Sequence, residues 1–188
     1  MELTREIYWN IGHGAATLVP MYALTLAAVA VFAWGFLQRI KVYRLGQPLD
    51  RTDNLGARIA GLIKNVLLQS KVLVVKGPGL AHALFFWGFL LLFIGTCLIV
   101  VQADFTDLLF GVKFLKGSFY LLFSVVLDLA GLVAIVMLAG LFVRRYLVRP
   151  EGLESKKDDA LMHGLLFVIL ITGFLIEGAR MAVTELGT

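Results

Sequence analysis

Apolar residues in this chain fall into four long runs, at about 12–37, 80–101, 118–143 and 160–178, separated by stretches richer in charge. A hydrocarbon core about 30 Å thick needs about 20 helical residues at a rise of about 1.5 Å each. The pattern therefore predicts an all-α integral membrane bundle of four transmembrane helices. The first run follows Glu2, Arg5 and Glu6 instead of a basic stretch, is too long for a signal peptide and shows no convincing cleavage site. We read it as structure. Between the first two runs, Leu55, Ile59, Leu62, Ile63, Val66 and Leu67 recur at helical spacing, with Arg58, Lys64, Asn65 and Lys71 mostly between them. That spacing predicts an amphipathic helix over about 53–75, lying on the membrane surface or packed on the bundle. Lys76, Gly77, Pro78 and Gly79 end it and launch the second span.

Composition strengthens this picture. The 188 residues are 60% hydrophobic and 16% charged, with a mean hydropathy of +0.88, outside the range of a soluble domain. The net charge of +4 has a clear geography. Residues 38–79 carry Arg39, Lys41, Arg44, Arg51, Arg58, Lys64, Lys71 and Lys76, and the connection after the third run adds Arg144, Arg145, Arg149, Lys156 and Lys157. Thirteen of the seventeen Lys and Arg thus lie on one side. The positive-inside rule places that side in the cytoplasm and the N-terminus outside, in the cell inner membrane. The charge is a topology signal, and no nucleic-acid partner follows from it. Cys97 stands alone inside the second span, which excludes an internal disulfide, a CxxC cluster site and a CxxCH haem attachment.

Ionisable groups inside a bilayer are costly and are functional candidates by default. His13 lies at the outer end of the first span, and His82 and His163 lie about one turn into the second and fourth spans from the cytoplasmic side. Asp128 sits mid-way along the third span; Glu177 and Arg180 mark the outer end of the fourth. A haem needs only one imidazole from each of two facing helices. His82 and His163 share a depth and can oppose one another, whereas His13 is a membrane thickness away. Around His82, Ala81, Ala83, Gly88 and Gly95 leave room for a flat ligand and Phe85, Phe86, Trp87, Phe89 and Phe93 supply rings, although the same small residues also suit helix packing. Asp128 reads either as a proton relay or quinone contact, or as a hydrogen bond to a neighbouring helix. Glu177 and Arg180, three apart, either pair locally or touch a headgroup or propionate near a quinone site. Arg144 and Arg145 anchor the third span, or hold a haem propionate.

Five blocks in order carry a resemblance: TREIYWNIGHG (Thr4–Gly14), AHALFFWGFLLLFIGT (Ala81–Thr96), GSFYLLFSVVLDLAGL (Gly117–Leu132), RRY (Arg144–Tyr146) and TGFLIEGAR (Thr172–Arg180). Together they resemble the membrane cytochrome b domain, similar to the gamma subunit of respiratory nitrate reductase, that is joined to heterodisulfide-reductase-like iron–sulfur proteins. Membrane-bound electron-transfer-flavoprotein:menaquinone oxidoreductases belong to that group. The resemblance implies a subunit holding one or two b haems and passing electrons between a cytoplasmic iron–sulfur partner, with electron-transfer flavoprotein behind it, and menaquinone. It implies His82 as an axial ligand, with His13 as a second ligand residue, and argues against His163, which falls where the family has an apolar residue. The family continues beyond the GAR block into a fifth helix with further histidines and a cysteine-rich cytoplasmic domain. The expectation is a single membrane domain over 1–188 that lacks both, so that the ligands opposite His82 and His13 come from elsewhere. The alternative is a redox-inert anchor or assembly subunit of a respiratory complex; a small transporter fits less well, because paired broken helices and inverted repeats are absent from the pattern.

Overall fold

The computed structural model describes residues 4–5, 7, 14–47 and 53–184. Helix accounts for nearly all of the regular structure, and four helices are long and apolar enough to cross a membrane: Ala15–Tyr43, Pro78–Phe110, Gly117–Val148 and Lys157–Thr184. Intrachain contacts divide the chain into two compact units, Tyr8–Ala60 and the remainder.

The first unit contains α1 (Ala15–Tyr43), 29 residues or about 43 Å of helix. It runs through Pro20 and buries no side chain, so Leu24, Phe32 and Trp34 are exposed. Such a surface belongs in lipid, where Leu and hydrocarbon are equivalent surroundings. The short helix α2 (Leu55–Leu62) begins after Asp53, whose carboxylate and carbonyl both accept from the Arg58 guanidinium at 2.5 and 2.8 Å. A π-helical stretch, Ile63–Leu67, continues it. Helix therefore ends well before residue 75, where the apolar spacing predicts. The cause is local: Gln69 adopts φ +53°, its amide donates to the Val66 carbonyl at 2.6 Å, and the Ser70 hydroxyl donates to the Lys64 carbonyl at 2.7 Å. Side chains thus satisfy the carbonyls that a further turn would have used. The turn that follows lays the Val72 carbonyl against Gly79, where any Cβ would overlap it.

The second unit is built on three long helices. Helix α3 (Pro78–Val100) continues through a π-helical stretch, Val101–Asp107, and the short α4 (Leu108–Phe110). Helix α5 (Gly117–Phe142) continues through Val143–Val148, and α6 (Lys157–Thr184) begins with Asp158 and Asp159 in its first turn, where the helix dipole favours them. All three outrun the lengths that hydropathy predicts, because polar residues at their ends find partners inside the protein. Gln102 is fully buried, with its side-chain oxygen accepting from the Leu115 amide at 2.6 Å.

Both α3 and α6 pack on α5, while their own backbones stay apart and meet only through side chains around Leu170. A Cβ on Gly88 would stand 2.7 Å from the Ala130 carbonyl, and one on Gly95 would stand 2.5 Å from Leu127. Rising numbers on α3 meet falling numbers on α5, so the pair is antiparallel. Likewise Phe174 fills the face of Gly131 while Arg180 reaches Tyr120, which makes α6 antiparallel to α5. Two small cores result, one around Leu115, Tyr120 and Phe123, the other around Ala134, Leu138 and Leu170.

Candidate functional site

His82 projects from the first turns of α3 with its side chain exposed. It heads a shallow groove of about 280 Å³ walled by Phe85, Phe86, Phe89 and Phe93, with Leu166 of α6 on the far side. These positions share one face of α3 because three, four, seven and eleven residues all return to nearly the same angle at 3.6 per turn. Phe85 and Phe89 lie 5.9 Å apart. Gly88 and Gly95 do not belong to this cradle. They face α5 and serve close helix approach, so the room they were expected to leave for a flat ligand is filled by Ala130, Ala134 and Leu127.

His163 sits on the second turn of α6, half-buried, and is not among the residues lining the His82 groove. Its Nδ1 lies 2.8 Å from the Asp159 carbonyl. A carbonyl only accepts, so Nδ1 is the donor in this contact. Tyr146 meets the imidazole edge-on at 5.7 Å. Arg145 ties the end of α5 to the start of α6 by pairing with the Asp159 carboxylate and donating to the Glu154 carbonyl at 2.9 Å. Arg144 lies half-buried beside it. His13 falls outside the described residues. Among the described residues no cluster of three or more His, Cys, Asp or Glu is placed to hold a metal ion; an axial haem ligand requires no such cluster.

At the other end of the unit a larger cleft, about 640 Å³, opens between α3 and α6 with α5 as its floor. Phe89 and Phe93 wall both cavities, so the cleft and the His82 groove are neighbours along one face of α3. Most of its lining is apolar, but Thr96, Ser124, Asp128, Glu177 and Arg5 also reach it. The Arg5 guanidinium grips Glu177 with two bonds of 2.8 Å, a bidentate pair. Arg180, 7% exposed at its side chain, also donates to Glu177 at 2.9 Å and to the Tyr120 hydroxyl at 2.8 Å. A buried guanidinium is tolerable only with such a full set of acceptors. The chain before α1 is held here by its backbone as well: Thr4 bridges Lys116 and the Arg5 amide donates to the Leu115 carbonyl at 3.3 Å.

The local Glu177–Arg180 pair expected from their spacing is thus present, within a network that spacing does not reveal. The sequence pattern does not mark Arg5, Tyr120 or Ser124 as site residues. Ser124 alone carried a readable signal, a hydroxyl one turn from Asp128 in an otherwise apolar run.

No protein-family model matches the chain, and no solved structure matches it. Two curated proteins do. The chain is 34% identical over 164 residues to a protein named EtfAB:quinone oxidoreductase from Syntrophomonas wolfei, an alignment covering 86% of this chain and 22% of that protein. It is 26% identical over 152 residues to a probable iron-sulfur-binding oxidoreductase, FadF, from Bacillus subtilis, covering 79% of this chain and 21% of that one. The chain is similar to part of two oxidoreductases. It spans about a fifth of the length of these relatives.

Proposed function

We propose that the chain is a membrane electron-transfer subunit, holding a b-type haem through His82 and passing electrons between a cytoplasmic iron–sulfur or flavoprotein partner and menaquinone. The observation that carries this reading is that 86% of a chain dominated by four membrane-length helices aligns with part of a protein named as a quinone oxidoreductase. The His82 groove fits one face of a haem: an exposed imidazole offers a ligand nitrogen, and Phe85, Phe86 and Phe89 give a flat macrocycle apolar contact and exclude water. Bound there, a haem supplies reversible one-electron chemistry whose potential depends on ligation and burial. Among the described residues no second histidine lines the groove. We assign the opposing ligand to a helix other than α3, α5 and α6, supplied by a further segment or another polypeptide. Arg145 is engaged with Asp159, so Arg144 is the candidate for a propionate.

The remaining residues do other work in this reading. The basic connections, Arg39 to Lys76 and Arg144 to Lys157, lie in the cytoplasm and present the surface on which the partner docks. Asp128, lining the deeper cleft, exchanges protons with quinone, whose reduction takes up two electrons and two protons. The test is an absorption spectrum of the chain co-expressed with its cytoplasmic partner. A Soret band and a reduced α band of b type are expected, both strongly diminished by His82→Ala. A complex without either band would leave only the redox-inert anchor.

A further inference from the structure

We propose that the cleft between α3 and α6 seats the ring of a quinone, with the Ser124 hydroxyl as its hydrogen-bond anchor. This rests on the quinone-linked reading above and adds a place and a contact to it.

Ser124 is 7% exposed and its Oγ has no hydrogen-bond partner among the described residues. Serines in membrane helices ordinarily return their hydroxyl to the carbonyl one turn back. Thr25, Thr96 and Thr172 do this here, at 2.9, 3.0 and 2.6 Å, whereas Ser124 does not. An unmade bond at a buried hydroxyl is costly, so a ligand oxygen that completes it gains affinity and selectivity.

The surroundings suit one kind of ligand. Arg180 bonds to Tyr120, which places Ser124, one turn deeper on α5, level with Glu177, three residues deeper on α6. Gly95 abuts Leu127, which brings Thr96 of α3 to nearly the same height. A flat ring there meets polar groups at its edges and Phe89, Phe93 and Phe174 around it. The volume of about 640 Å³ lies within the range of small-molecule sites, about 300–1,000 Å³. Because the backbones of α3 and α6 stay apart, an isoprenoid tail can leave the cleft between them. A hydroxyl suits both forms of the ligand, since it donates to a quinone carbonyl and accepts from a quinol hydroxyl. The Thr96 hydroxyl, its proton committed to the Leu92 carbonyl, can only accept and so favours the reduced form.

The experiment is equilibrium binding of 2,3-dimethyl-1,4-naphthoquinone to the full chain in lipid nanodiscs. Saturable binding is expected. Ser124→Ala should weaken it about fivefold, Ser124→Thr should keep it near wild type, and Ser124→Leu should reduce it further by filling the cleft; circular dichroism checks that each variant is folded. Equal affinity in wild type and Ser124→Ala overturns the proposal, as does absence of saturable binding. So does displacement of the probe by phytane, a ringless branched chain, at concentrations where menaquinone displaces it, because that outcome describes a lipid-tail groove. The two readings separate cleanly. A b-type spectrum with Ser124-independent binding sinks the site alone, while Ser124-dependent binding in a complex lacking that spectrum sinks the haem reading alone.

Discussion

Glu177 is the carboxylate that two guanidinium groups share in the three-helix unit. It accepts from Arg5 and from Arg180, and the Arg180 side chain is only 7% exposed. Glu177→Gln should lower stability by about 2 kcal/mol, measured by thermal unfolding in detergent, because a buried guanidinium loses its charge partner. Arg5→Ala should cost less, about 1 kcal/mol, since Glu177 keeps Arg180 and is itself partly exposed. The double variant should then fall short of the sum of the two. Equal and additive losses would mean that the Arg5–Glu177 contact is not a working pair.

Among elements, the α3–α5 contact rests on the absence of side chains. Gly88→Leu has no room against Ala130 and Ala134 and should cost about 3 kcal/mol or prevent assembly of the pair. Gly140→Ala meets nothing within 4 Å and should be neutral or slightly stabilising in the same unfolding assay. Hydropathy made the four spans legible because lipid solvates their apolar residues whatever the helices do to each other. Their ends were not legible, because Gln102 and Arg145 look like boundary residues in one dimension and find hydrogen-bond partners inside the fold in three. The glycines around His82 read equally well as ligand space or as a helix seam, and only the geometry chose the seam. Asp128 and Glu177 stood out as ionisable groups in apolar runs. The second partner of Glu177 did not, since Arg5 is 172 residues away and no local periodicity links them.

For the whole molecule, orientation and redox role are the claims at stake. With Cys97 replaced by Ala, a reporter cysteine at Lys71→Cys or Lys156→Cys should react with a membrane-impermeant maleimide only after the cells are opened, and one at Lys113→Cys should react in intact cells. The reverse pattern would invert the proposed topology and move the docking surface to the other side. The two cavities share Phe89 and Phe93 and so adjoin along α3, with His82 at one end and Thr96 about 21 Å further along the helix axis. The proposed function requires electron exchange between the two ends. The most direct test adds menaquinol to oxidised membranes containing the chain and its co-expressed partner and follows the b-type α band. The account predicts that the band appears in wild type and is lost in His82→Ala. A band of wild-type size and rate in His82→Ala, or no quinol-dependent band in wild type, would contradict it.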